Sequence, residues 1–142
     1  MKVPLRRWST LLLRLGFAFL LGYASIDKIL HPYLFAQDVM HYRVLGEGLS
    51  YLVAVWIPYL ELFTALCLVS GIWLDAAVSI NAILMPMFLV LVLQAFFRRL
   101  DIHCGCFTVN GESVIGPVKI IENFVFAALS LVLARLHFKN KN

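Results

Sequence analysis

Charged residues are scarce in this 142-residue chain: lysine, arginine, aspartate and glutamate together make up 14% of it, while 62% is hydrophobic. A soluble domain ordinarily has roughly 25% charged residues and about half apolar ones. The scarcity of charge therefore excludes an ordinary soluble domain, which could not bury such long apolar runs. The mean hydropathy of +0.89 indicates that lipid surrounds most of the chain.

The net charge of +4 is not gathered into a surface for nucleic acid. The basic residues instead flank the first and last apolar runs, which is typical of membrane proteins and predicts that both termini are cytoplasmic. No nucleic-acid partner is expected. The flanking residues are Lys2, Arg6, Arg7, Arg135, Lys139 and Lys141.

Four apolar runs are long enough to cross a bilayer as helices, which predicts a single membrane domain over residues 1–142. The predicted spans cover about residues 9–30, 50–71, 76–97 and 117–136. Residues 32–48 mix aromatic and polar side chains, which favours a short amphipathic helix at the interface. Short connections between spans predict an all-α, antiparallel four-helix bundle. We expect a multi-pass protein of the inner (plasma) membrane, with residues 98–116 outside.

Of the three cysteines, Cys67, Cys104 and Cys106, only two can meet. Cys67 lies near the end of the second span, so the third span separates it from the others by roughly 25 Å or more at 1.5 Å per helical residue. A disulfide needs Cα atoms within about 7 Å. Cys67 is therefore interpreted as a small buried hydrophobic residue.

Cys104 and Cys106 are separated only by Gly105, whose conformational freedom tolerates a very small disulfide ring. Strained, exposed disulfides tend to be the labile or catalytic ones. The adjacent His103 favours the thiolate form when it is protonated, and an outer location is oxidising. This pattern predicts that Cys104 and Cys106 form a catalytic redox pair.

Two other interpretations of the same segment remain open. In the first, the Cys104–Cys106 disulfide is permanent and only restricts the conformation of its loop. In the second, His103, Cys104 and Cys106 bind a metal together with His31 or His41. Zinc sites usually have two to four residues between cysteines, so we predict no metal site. The chain also has no C-x-x-C-H motif for c-type haem.

Several motifs are spread over nearly the whole chain, and the most specific is Cys104-Gly105-Cys106-Phe107. The others are Arg14-Leu15-Gly16, Gly22 to Lys28, Pro32, Phe35-Ala36, Tyr42, and Pro58 with Glu61. Together they resemble the MauE/DoxX-like family of small four-helix membrane proteins, whose pattern usually has a glycine where this chain has Thr108. The resemblance implies a redox-associated role with a periplasmic or extracytoplasmic thioredoxin-like partner, in forming or maintaining disulfides.

The chain is also similar in architecture to four-helix, disulfide-generating membrane enzymes that use a quinone. Those enzymes employ a second cysteine pair, which this chain lacks. A quinone at the outer end of the bundle is therefore the candidate cofactor and electron acceptor. We expect Lys28, Glu122 and Asn123 to provide its polar contacts and Phe107 an apolar wall. Lys28 and Glu122 are also plausible partners for each other, either to seat the CGC loop or simply with their charged groups extended to the membrane interface.

Glu61 lies near the middle of the second span, where an ionised side chain costs roughly 3 kcal/mol and normally faces a partner. Counting helical rise places Arg14 and Asn81 within about two turns of it. We therefore predict that Glu61 faces the bundle interior and engages Arg14, directly or through Asn81 or water. Such a cluster is either a structural ion pair or part of a proton path.

Two classes of function follow from these patterns. In the first, the chain is a membrane thiol–disulfide redox protein whose CGC pair exchanges electrons with a thioredoxin-like partner and a quinone. In the second, it is a non-catalytic accessory subunit, packed against other membrane subunits, whose CGC disulfide is structural. Large apolar contacts with foreign subunits would favour the second class, and an open CGC loop the first.

Overall fold

The computed structural model describes residues 2–99 and 116–141, and every regular element within them is an α-helix. The helices are α1 (Lys2–Leu30), α2 (Pro32–His41), α3 (Glu47–Ser70), α4 (Leu74–Phe97) and α5 (Pro117–Lys141). Each of them except α2 is long and apolar enough to cross a membrane. The predicted all-α membrane bundle with a short helix after the first span is confirmed.

The residues at the helix ends explain why the helices stop where they do. Pro32 keeps His31 out of the helical conformation, at φ −125° and ψ 59°, and so separates α1 from α2. At the other end of the bundle α3 stops at Gly71, which has φ +77° and donates its N–H to the Cys67 carbonyl. A left-handed residue at this position satisfies a terminal carbonyl of the helix.

Gly71, Ile72 and Trp73 form the short turn between α3 and α4, which makes these two helices antiparallel. The end of the bundle that contains this turn, the start of α1 and the end of α5 is called the terminal end below. The opposite end, where α1 leads into α2, α4 ends and α5 begins, is called the loop end.

The bundle consists of two closely packed pairs. Helix α1 packs against α3 and α4 against α5, and the pairs meet through smaller α3–α4 and α1–α5 contacts. Helices α1 and α3 meet at Gly22 and Ala65, where a Cβ on Gly22 would lie 3.9 Å from the Cβ of Ala65, in ordinary van der Waals contact. Helix α2 folds back onto α3 and buries Phe35 and Ala36.

Apolar side chains dominate the outside of the bundle, and several polar ones lie inside. Phe19, Trp56 and Ile83 each expose more than two thirds of their surface. Fully buried polar residues lie on all four long helices, namely Ser25, Lys28, Ser50, Glu61, Thr64, Asn81 and Ser130. This distribution suits a multi-pass membrane protein, whose outer surface contacts lipid.

Candidate functional site

Lys28 and Glu61 form an ion pair in the interior of the bundle. Lys28 lies in the last turn of α1, and Glu61 lies past the middle of α3. The Lys28 Nζ donates to both carboxylate oxygens of Glu61, at 2.8 Å and 2.9 Å, and neither side chain has any exposed surface. Charges at this depth are tolerated when they are paired in this way.

Two phenylalanine rings also contact the ammonium group of Lys28. Its Nζ lies 5.0 Å from the ring centroid of Phe35, on α2, and 5.2 Å from that of Phe88, on α4. Both distances are within the range of cation–π attraction. One lysine therefore joins four helices, because it also belongs to α1 and binds Glu61 on α3.

The sequence-based pairing of Glu61 with Arg14 is wrong, although Glu61 does face the interior as predicted. Arg14 instead donates to the Val69 carbonyl at 3.1 Å, close to the end of α3. Counting helical rise from a start near residue 9 gives the wrong depth for Arg14, because α1 begins earlier, at Lys2. Arg14 and Lys28 are 14 residues apart, which is about 21 Å of helix, and it is Lys28 that reaches Glu61.

Asn81 also takes no part in the Glu61 pair. Its side chain is fully buried on α4, and neither its Oδ1 nor its Nδ2 has a hydrogen-bond partner among the described residues. The predicted cluster of Arg14, Glu61 and Asn81 is thus three separate features of the bundle.

The expected pairing of Lys28 with Glu122 is likewise wrong. Glu122 accepts a hydrogen bond at 2.9 Å from Lys119, one turn earlier on α5, in a partly exposed pair. Asn123 is buried and donates its Nδ2 to the Lys119 carbonyl at 2.9 Å. Glu122 and Asn123 therefore bond to residues of their own helix, α5, whereas Lys28 pairs with Glu61 on α3.

An apolar pocket of about 360 Å³ lies between α2, α3 and α4, beside the ion pair. Phe35 and Phe88, the rings that contact Lys28, also form part of its wall. The other lining residues are Val39, Tyr42, Val44, Leu45, Val53, Ile57, Met87 and Leu91. Sequence reasoning missed this pocket, because its residues come from three helices and a loop whose mutual positions no motif encodes.

Cys104, Cys106 and Phe107 lie outside the described residues. Cys67 is described: it is a free, buried cysteine with 7% of its surface exposed. Its carbonyl accepts the N–H of Gly71 at 2.9 Å, which places it at the terminal end, whereas α4 reaches the loop end at Phe97.

A second polar cluster at the terminal end was also missed. Asp75, in the first turn of α4, accepts from His137 Nε2 at 2.6 Å and from Lys141 Nζ. Both partners belong to the last turns of α5. The sequence pattern explains the basic residues near the end of the chain only as membrane-flanking charges. The cluster joins α4 to α5 at the end opposite the apolar pocket.

Comparisons with known proteins identify a family and a relative of this chain. The family model described as "Methylamine utilisation protein MauE" matches residues 6–136. The chain is 30% identical over 132 residues to the "Methylamine utilization protein MauE" of Paracoccus denitrificans, which covers 92% of this chain and 69% of the relative. No solved structure matches the chain.

Proposed function

Because the chain belongs to the MauE family, we propose that it is a membrane thiol–disulfide redox protein of methylamine utilisation. Its Cys104 and Cys106 exchange electrons with a thioredoxin-like protein outside the cytoplasm, and a quinone held in the bundle is the second redox partner. The terminal end faces the cytoplasm, and the loop end faces the outer side of the inner (plasma) membrane.

The observation that supports this proposal most strongly is the position of Cys67. The chain has three cysteines, and Cys67 lies at the terminal end, beside the turn into α4. The 24 residues of α4 span about 36 Å at 1.5 Å per residue, far more than the roughly 7 Å that a disulfide allows. Cys104 and Cys106 are therefore the two cysteines of this chain that remain to form a redox pair.

The proposed reaction balances with a quinone as the co-reactant. When the thiols of Cys104 and Cys106 are oxidised, an S–S bond forms, and two electrons and two protons pass to the quinone, which becomes a quinol. The disulfide then exchanges with a dithiol of the thioredoxin-like partner: the partner is oxidised and the CGC pair is reduced again. No second cysteine pair is needed in this cycle.

Serine substitutions test the proposal, with Cys67→Ala as a matched control. Cys104→Ser and Cys106→Ser should each abolish disulfide transfer to a thioredoxin-like protein in a purified assay, since one thiol cannot form the internal bridge. Both variants should unfold at the wild-type temperature, because the described core lies in the helices. Cys67→Ala should keep full transfer.

The opposite result identifies the alternative function. If cells that carry Cys104→Ser or Cys106→Ser retain methylamine utilisation at the wild-type level, the CGC pair has no redox role and is at most structural. The chain is then a non-catalytic accessory subunit of a larger membrane complex, and the redox proposal fails.

A further inference from the structure

We propose that the apolar pocket between α2, α3 and α4 binds the ring of a lipid-soluble quinone. This placement rests on the redox function proposed above and adds to it a site and a ligand class. It also moves the quinone away from Glu122 and Asn123, because the described residues that line the pocket come from α2, α3, α4 and the loop between α2 and α3.

The size and lining of the pocket suit a flat, apolar ring. Its volume of about 360 Å³ falls within the range of small-molecule sites, roughly 300–1,000 Å³. Phe35, Tyr42 and Phe88 provide aromatic surface against which a ring can pack. Among the lining residues that the structure describes, the Tyr42 hydroxyl is the only side-chain polar group.

The pocket lies at the loop end of the bundle, where α4 leads into the segment whose sequence contains the CGC pair. Leu91, one of its lining residues, is six positions before the end of α4 at Phe97, or about 9 Å of helix. Cys104 follows Phe97 by seven residues. A ring in this pocket is therefore on the side of the membrane where the thiols are oxidised.

The buried ion pair presents its positive end to the pocket wall. The Lys28 ammonium contacts both Phe35 and Phe88, and these rings separate it from the pocket. Two of its three N–H groups bind Glu61, which holds the charge in place. Because Glu61 neutralises this charge, the pair acts on a ring in the pocket as a dipole with its ammonium at the wall formed by Phe35 and Phe88, and not as an isolated positive charge.

The loop between α2 and α3 provides the opening. Val44 and Leu45 line the pocket and expose 47% and 40% of their surface. A quinone tail leaves the pocket past these two residues and continues into the surrounding lipid. A ligand of this shape uses the pocket for its ring and the bilayer for its chain.

Photolabelling tests the site on the unmodified protein. Wild-type protein in phosphatidylcholine nanodiscs is illuminated with a short-tailed azido-benzoquinone, with and without an excess of the same quinone lacking the azide. Labelling should be saturable and should map to residues 35–45 and 87–91. Labelling spread over lipid-facing residues, or saturable labelling of residues 116–123, would overturn the placement. Labelling of the pocket that the excess quinone does not reduce would mean that the probe only partitions there from the bilayer, and would overturn it too.

A paired substitution on α3 provides a second test. Ile57→Trp fills the pocket, whereas Val55→Trp adds the same side chain at a position that is 55% exposed and outside the pocket. Ile57→Trp should weaken binding of the short-tailed quinone about tenfold or more, and Val55→Trp should leave it unchanged. Equal affinities in the two variants would contradict the inference. If Ile57→Trp does not fold, the wild-type labelling map decides.

The same samples separate this inference from the proposed function. If the pocket is labelled saturably but quinone does not reoxidise the reduced CGC pair, the quinone site is supported and the proposed electron transfer is wrong. If quinone reoxidises the CGC pair rapidly and Ile57→Trp does not slow this reaction, the redox function is supported and the proposed site is wrong.

Discussion

Lys28 is an unusual residue because lysine is almost never fully buried unless it is paired. Here Glu61 satisfies its charge through two hydrogen bonds, and two phenylalanine rings contact the ammonium. Replacing both members of a buried pair by apolar residues is often nearly neutral, whereas removing one leaves an uncompensated charge. The pair should therefore respond very differently to single and double substitution.

Glu61→Ala should lower the free energy of unfolding by about 3–5 kcal/mol, because it leaves the Lys28 ammonium buried without its carboxylate. The double variant Lys28→Met with Glu61→Leu should recover most of this loss. Equilibrium unfolding in mixed detergent micelles measures both values.

Glu122→Ala is the matched control, since it removes a carboxylate from a partly exposed ion pair on α5. It should cost less than about 1 kcal/mol. A Glu61→Ala protein that is as stable as Glu122→Ala would mean that water or another group already compensates Lys28.

The interior position of Glu61 could be predicted from the sequence, because a carboxylate in an apolar span needs a partner. The identity of that partner could not be predicted. It depends on the register between α1 and α3, whose contact includes Gly22 beside Ala65. Lys28 and Arg14 lie on opposite sides of this contact along α1, and nothing in their local sequence distinguishes them.

At the scale of whole elements, hydropathy identified the four long helices, and a mixed composition identified α2. The ends were less predictable: α3 begins at Glu47, about three residues before its predicted start. The apolar pocket was beyond prediction, because it exists only where α2 folds back beside α3 and α4. Such packing depends on the helix connections rather than on any one helix.

Gly71→Ala should destabilise the turn between α3 and α4. Gly71 has φ +77°, where an L side chain is strained by roughly 1–2 kcal/mol. An added Cβ would also lie 3.7 Å from the Arg14 guanidinium, in ordinary contact, so strain rather than a clash sets the cost. A lower unfolding temperature in a thermal melt is the expected result.

Gly48→Ala is the control for this change. Gly48 lies in the first turn of α3, where an added Cβ meets nothing within 4 Å. The substitution should be neutral or stabilising by up to about 1 kcal/mol, because alanine is the better helix former. Equal destabilisation by both variants would contradict the role given to the left-handed turn.

For the molecule as a whole, the two ends of the bundle differ in chemistry. The terminal end joins α4 to α5 through Asp75, His137 and Lys141, and it also contains Cys67. The loop end contains α2 and the apolar pocket, and the segment with Cys104 and Cys106 follows from it. This asymmetry fits the proposal that the thiol chemistry takes place on one side of the membrane.

Thiol labelling of intact cells tests the proposed orientation. After mild reduction, a membrane-impermeant maleimide should label Cys104 or Cys106 and spare Cys67, which is buried at the terminal end. Cys104→Ser/Cys106→Ser cells are the control and should remain unlabelled. Labelling of the CGC pair only after permeabilisation would reverse the orientation.

A redox titration of Cys104 and Cys106 in the purified Cys67→Ala protein tests the central claim most directly. The redox account predicts one reversible two-electron transition between dithiol and intramolecular disulfide. Mass spectrometry of alkylated samples measures the fraction of each form. Its midpoint should lie above about −300 mV, the region of labile and catalytic disulfides. A midpoint well below that value, or two thiols that never form a bridge, would contradict the claim that the CGC pair is a working redox centre.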